Sequence, residues 1–206
     1  MGDEEAGPYV SRAGRKLEAA LRQFELDVGG LTCADFGCHV GGFTDCLLRH
    51  GAAKVYALDT GYGVLDYGLR TDPRVVVMER TNALHCPPPA EPADLVTIDL
   101  AWTRQHHAIP AALKWLAADG RIITLVKPHY ELDEDRKRSL LTDGVLEPAD
   151  AETILEEVVA ELPRLGVQVV ASMQSPLGGA KSARRSGGHG NREYLVLLSR
   201  AGAAIR

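Results

Sequence analysis

The apolar positions change period repeatedly along the chain. Over residues 11–24, Leu17, Ala20, Leu21 and Phe24 fall at i, i+3, i+4 and i+7, the spacing of one helix face. Ser11 stands where an N-cap belongs, and the basic residues fall mostly on the opposite face. After Gly29-Gly30 the pattern becomes a short continuous apolar run over 31–36, which suits a buried strand. A helix over 42–50 follows, halted at Gly51. Strands are predicted over 54–59, 74–78, 94–100 and 121–126, with a stiff connection at Pro87-Pro88-Pro89 and Pro92. Helices are predicted over 109–118 and 149–165, and final strands over 167–173 and 193–198. No internal repeat is visible.

Short apolar strands alternating with helices imply a mostly parallel sheet covered on both faces. Right-handed crossovers leave few topologies. Only a Gly- and Arg-rich loop separates the last two strands, so they are expected to form an antiparallel hairpin at the sheet edge. The expected fold is α/β: a seven-stranded, Rossmann-like sheet with helices on both faces. A sheet ending this way resembles the class I methyltransferases. One domain is expected over 9–200, with a flexible tail at 1–8 and a second tail at 201–206.

Composition changes this picture little. The 206 residues are 45% hydrophobic and 25% charged, an ordinary globular profile. No apolar run approaches the roughly 20 residues of a membrane span. The acidic first eight residues lack the apolar core of a secretory signal. Cys33, Cys38, Cys46 and Cys86 read as reduced thiols, so the expected location is cytoplasmic. Charge is more informative. Residues 9–22 carry +3 and residues 176–192 carry +4, which leaves −12 for the remainder against a net of −5. Brought together, the two basic segments would make a local phosphate-contacting face. Apart, they are solvated surface charge.

The turn after the first strand reads Asp35-Phe-Gly37-Cys-His-Val-Gly41-Gly42-Phe43. Glycines there let the backbone approach a ligand, and the following helix N-terminus favours a negative group. The spacing G-x-x-x-G-G departs from the dinucleotide pattern G-x-G-x-x-G. Asp59 ends the second strand, placed to accept from ribose hydroxyls. The implied ligand has an adenosine ribose and an anionic end. S-adenosyl-L-methionine has both.

Lys16 lies on the first helix, Asp99 and Lys127 end the fourth and fifth strands, and Glu193 opens the last. Charged groups at such strand ends are rarely explained by packing. Methyl transfer to a hydroxyl requires alignment and help for the departing proton. Lys127 is the expected proton acceptor, with Lys16, Asp99 and Glu193 supporting it. A second cation, Lys16, is expected to lower Lys127 towards a useful basicity, against the opposing carboxylates.

The segments YVSRAGRKLEAAL, DFGCHVGGFTDCLLRHGA, KVYALDTGYG, RVVVMERTN, DLVTIDL, LVKPHYEL and GHGNREYL together resemble the hemolysin-A-like (TlyA) branch of the FtsJ-type RNA 2′-O-methyltransferases. The resemblance covers residues 9 to 199. It implies methylation of a cytidine ribose in ribosomal RNA or a ribosomal subunit, with S-adenosyl-L-homocysteine as product. It also implies a Lys-Asp-Lys-Glu set at Lys16, Asp99, Lys127 and Glu193. The expected cofactor contacts are Asp35, Gly37, Gly41, Gly42, Phe43, Asp59, Thr60, Asn82 and Asp99. The expected RNA contacts are Arg12, Arg15, Trp102, Tyr130, Lys181, Arg184, Arg185 and Arg192. Family members carry an N-terminal S4-type RNA-binding domain, whereas eight residues precede Tyr9 here. The substrate anchor is expected to be missing or supplied by a separate RNA-binding partner. The turn residues Cys38-His39-Val40, the stretch Ala101-Trp102-Thr103-Arg104 and a longer basic insert after Pro176 also depart from the family pattern.

Two other readings remain open here: O-methylation of a small molecule, and a catalytically idle RNA- or ribosome-binding protein. Pore formation has no support, since no long basic amphipathic helix is present. Cys33, Cys38, His39, Cys46 and His50 lack zinc-site spacing and read as core thiols and surface imidazoles. His106-His107 reads as a solvated helix start. Trp102 and Tyr130 read either as core packing or as a platform for an unpaired base.

Overall fold

Each buried apolar run becomes a strand in the computed structural model, which describes residues 7–179 and 190–202. The strands are β1 Thr32–Phe36, β2 Lys54–Leu58, β3 Val75–Met78, β4 Ala93–Ile98, β5 Leu116–Val126, β8 Val167–Gln174 and β9 Tyr194–Arg200. They form one sheet in the order β3-β2-β1-β4-β5-β9-β8. The first five run parallel, and β9 pairs antiparallel with both β5 and β8. The expected antiparallel hairpin is therefore present, with β8 at the edge. Two short strands, β6 Leu141–Thr142 and β7 Val145–Leu146, pair apart from the main sheet.

The two-residue period of the strands divides the core. Phe36, Val96, Ile98, Ile122 and Val196 face one side, and Cys33, Leu95, Ile123, Leu125 and Leu195 face the other. Helices α1 Ala13–Gln23 and α2 Gly42–Arg49 cover the second face through Leu17, Leu21, Phe43 and Leu47. Helices α4 Gln105–Trp115 and α7 Pro148–Glu161 cover the first through Ile109, Trp115 and Ile154. Short helices α3 Tyr67–Thr71, α5 Pro128–Glu131 and α6 Glu134–Leu140 lie between them in sequence. They are too short to impose a readable period.

Several boundaries differ from expectation for physical reasons. Helix α1 starts at Ala13, and Arg12 at its N-cap makes no side-chain cap bond. Ser11 instead accepts the Gly14 amide through its carbonyl at 3.1 Å. The basic residues of α1 do not all face solvent, because Lys16 is buried. Helix α4 starts at Gln105 and ends at Trp115, whose ring meets Phe36 and Tyr56 edge-on at 5.4 and 5.8 Å. The next residue, Leu116, pairs with Ala93 and opens β5. Helix α7 stops at Glu161 and tightens into a 3-10 turn, Leu162–Leu165. Pro163 has no amide hydrogen to continue the α-helical ladder. Among the described residues no helix is long and apolar enough to cross a membrane.

Candidate active site

The carboxyl ends of the parallel strands open onto one cavity of about 450 Å³. Its volume lies within the usual range for small-molecule sites. Gly37 carries φ +87°, and a Cβ there would stand 2.6 Å from the Asp99 carbonyl oxygen. Only glycine permits both the conformation and the approach of the β4 end. Gly41, at φ +101°, is the N-cap of α2. Gly41 packs on Leu65 and Leu69, and Gly42 packs under Ser11, Ala13 and Gly14. Neither lines the cavity, whereas Gly37, Cys38, His39, Val40 and Phe43 do.

Asp59, Thr60 and Asn82 line the cavity. The Asp59 carboxylate already accepts the His39 amide at 2.9 Å and the Gly61 amide at 2.7 Å. A carboxylate offers about four lone-pair sites, so acceptor capacity remains for ribose hydroxyls. Asn82 turns its side-chain oxygen to the Leu84 amide at 3.0 Å.

Asp35 requires a correction. It was expected to touch the cofactor, yet it is fully buried and does not line the cavity. Its carboxylate accepts from Thr44 Oγ1 at 2.7 Å and Thr97 Oγ1 at 3.1 Å. It thereby ties β1 to the start of α2 and to β4, beneath the turn. Burial pushes its pKa up to about 7, against the two hydroxyl donors that stabilise the charged form.

The four candidate catalytic side chains form two ion pairs. Lys127 Nζ donates to Asp99 Oδ1 at 2.5 Å, on the cavity wall. Lys16 Nζ donates to Glu193 Oε2, with both side chains buried. The pairs feel each other: Lys16 acts on Asp99, and Glu193 acts on Lys127. Burial opposes the Asp99 charge, but Lys127 and Lys16 outweigh it and hold the carboxyl below its usual range. Burial also opposes the Lys127 charge, but Asp99 and Glu193 outweigh it and raise the ammonium pKa. The expectation that Lys16 lowers Lys127 is therefore overturned. The two carboxylates win, and the protein by itself carries Lys127 as an ammonium.

Trp102 is 74% exposed and lines the cavity mouth, so core packing does not account for it. Its backbone is at φ +53°, uncommon for a bulky residue. Its ring lies 6.0 Å from that of Tyr130, which in turn sits 5.8 Å from Lys127 Nζ. Arg12 and Arg15 are half-buried near the start of α1. Arg192 is ion-paired with Glu152. Lys181, Arg184 and Arg185 lie outside the described residues.

Ser11 and Ala13 also line the cavity, which the sequence did not signal. Only the packing of α1 over Gly42 brings them there. Among the described residues no group of three or more His, Cys, Asp or Glu is arranged to hold a metal.

The parallel sheet, the glycine turn, Asp59 and the Lys127–Asp99 pair surround one cavity at the carboxyl ends of the strands. They define a Rossmann-like methyltransferase. The chain belongs to the FtsJ-like methyltransferase family, whose model matches residues 9–200. Its methyl donor is S-adenosyl-L-methionine. The 16S/23S rRNA (cytidine-2′-O)-methyltransferase TlyA of Mycobacterium tuberculosis is 39% identical over 194 residues, covering 92% of this chain and 68% of the relative. A candidate hemolysin from Streptococcus thermophilus superposes with a TM-score of 0.85 at 34% identity, over 96% of this chain and 69% of that one. A candidate S-adenosylmethionine-dependent methyltransferase from Listeria monocytogenes shares the fold at 17% identity, with a TM-score of 0.63, over 92% of this chain and 99% of that one.

Proposed function

We propose that this protein methylates the ribose 2′-hydroxyl of a cytidine in ribosomal RNA. The observation that carries the reading is the Lys127–Asp99 pair on the cavity wall, backed by Lys16 and Glu193. The acceptor named for the Mycobacterium tuberculosis relative supports ribosomal RNA as substrate.

The residues would divide the work as follows. Asp59 would accept from the cofactor ribose, with Thr60 and Asn82 beside it. The turn residues from Gly37 to Val40, with Phe43, would hold the anionic end. When bound, the cofactor supplies a methyl group on a positively charged sulfonium. Lys127 Nζ would meet the acceptor hydroxyl at the mouth. Positive charge added near Nζ disfavours the ammonium form. Lys127 is then set to release its proton to solvent as the cavity fills, and to take the hydroxyl proton during transfer. Asp99 Oδ1 would hold and orient Nζ throughout. Trp102 and Tyr130 would carry the base of the acceptor nucleotide.

The test is methyl transfer from labelled S-adenosyl-L-methionine to unmethylated ribosomal subunits and free rRNA, with nucleoside mass spectrometry. The wild type should produce 2′-O-methylcytidine, and folded Lys127→Ala should not. Transfer retained by Lys127→Ala would remove its role as proton acceptor. No transfer to any RNA would remove the substrate assignment.

A further inference from the structure

Two segments meet at the Lys127 side of the cavity. One runs from Asp99 to the start of α4 and carries Trp102. The other runs from Lys127 through α5 and carries Tyr130. At the cavity they are joined by Lys127 Nζ, which donates to Asp99 Oδ1 at 2.5 Å and to Leu100 O at 3.4 Å. They are joined again at their far ends. Glu131 accepts the Gln105 amide through Oε1 at 3.1 Å and Oε2 at 3.3 Å. Arg104 Nη2 donates to Leu132 O at 2.7 Å. Arg104, Gln105 and Glu131 do not line the main cavity but a separate one of about 310 Å³.

Local sequence does not account for this second joint. Helix α4 has Arg104 at its N-cap, which makes no side-chain cap bond. A short polar residue there would serve the first amides from within the helix. The acceptor comes instead from Glu131, 26 residues further on, and a carboxylate suits the positive end of the helix dipole. Helix α5 is a single turn of four residues, too short to hold its place without tertiary ties. Gln105 is itself anchored to the sheet. Its side chain is buried, and its Oε1 accepts Thr124 Oγ1 of β5 at 2.7 Å. Burial pushes the Glu131 pKa up to about 7, against the Gln105 amide and Arg104. Burying a carboxylate for one amide is a poor source of stability.

We propose that Glu131 is a positioning residue for methyl transfer. Its reach from α5 to the Gln105 amide sets the gap between Lys127 and the Trp102 segment. This rests on the proposed role of Lys127. Transfer needs the reacting atoms about 3–3.5 Å apart, and a misplacement of about 1 Å costs about a hundredfold in rate. Glu131 does not line the main cavity, so its effect falls on rate and not on cofactor affinity.

The experiment compares Glu131→Gln, Glu131→Asp and Glu131→Leu in single-turnover methyl transfer to unmethylated ribosomal subunits at saturating concentration. S-adenosyl-L-homocysteine binding is measured by calorimetry on the same samples. Glu131→Gln keeps the span and one acceptor oxygen, and should stay within about threefold of the wild type. Glu131→Asp keeps the charge but is one methylene short, and Glu131→Leu has no acceptor. Both should lose about tenfold or more in rate. All three should bind S-adenosyl-L-homocysteine like the wild type. Red-edge tryptophan anisotropy, which reports exposed Trp102 over buried Trp115, should fall in Glu131→Asp and Glu131→Leu alone. Wild-type rates in those two variants overturn the inference. So does the reverse order, with Glu131→Asp active and Glu131→Gln inactive, which would make charge and not span decisive. Loss of folding or of S-adenosyl-L-homocysteine affinity in step with rate overturns it as well, and assigns Glu131 to the fold as a whole. Each of these outcomes with an active wild type sinks this inference alone. A wild type that methylates no RNA sinks the proposed function, and this inference with it.

Discussion

Lys16 and Glu193 are 177 residues apart and form a buried ion pair, with side chains 9% and 5% exposed. The pair joins the first helix to the start of β9, behind the Lys127–Asp99 wall. A buried charge that loses its partner costs about 3–5 kcal/mol, whereas removing both partners costs far less. Glu193→Ala should therefore lower the urea midpoint strongly. The double variant Lys16→Met, Glu193→Leu should recover most of that loss yet remain inactive. Activity in the double variant would reduce the pair to a structural tie.

The pH dependence of turnover follows from Lys127. Its ammonium pKa is raised, because Asp99 and Glu193 outweigh the burial that opposes its charge. Proton release must precede its action as a proton acceptor. Single-turnover methyl transfer at saturating cofactor should thus rise with pH from neutral into the alkaline range, by up to about tenfold per pH unit. A flat profile would mean that Lys127 acts only as a fixed donor or positive charge.

Gly42 fixes the approach of α1. A Cβ there would stand 2.2 Å from Ser11 Oγ and 2.9 Å from both the Ala13 Cβ and the Gly14 amide nitrogen. Forcing that contact typically costs about 1–3 kcal/mol. Gly42→Ala should lower the melting temperature and weaken S-adenosyl-L-homocysteine binding together, because Ser11 and Ala13 form part of the cavity wall. A melting shift with unchanged binding would separate the helix contact from the site.

Asp35 makes stability depend on pH. Its folded pKa of about 7 lies above the unfolded value near 4. In that window the folded state binds more protons than the unfolded state, so stability falls as pH rises through it. Below the window the buried carboxyl is neutral and costs nothing through its charge. Above it the full penalty applies, on the order of 4 kcal/mol. Asp35→Asn keeps the shape without the charge. Urea unfolding at pH 5 and pH 8 should show the variant gaining on the wild type as pH rises. An equal difference at both pH values would show that Thr44 and Thr97 keep the carboxyl ionised throughout.

The sequence by itself determined the strand and helix alternation, the glycine turn, Asp59 at the second strand end and Lys127 at the fifth. These are local matters of period, turn chemistry and strand ends, and they persist in the structure. It also marked Lys16, Asp99, Lys127 and Glu193, as charges on the first helix and at strand ends and again through the resembling motifs. Only the tertiary structure decided what those residues do to one another. Whether Lys16 or the carboxylates govern Lys127 depends on distances across four elements, and the carboxylates prevail. Asp35 stands beside the turn in sequence but beneath it in space, where Thr44 and Thr97 take up its oxygens. Ser11 leaves its expected cap and joins the cavity wall because α1 packs over Gly42. Trp102 is exposed, although core packing was one of the two readings its sequence position allowed. Solvent exposure, desolvation and Coulomb coupling depend on neighbours in three dimensions, and linear periodicity carries no information about neighbours distant along the chain.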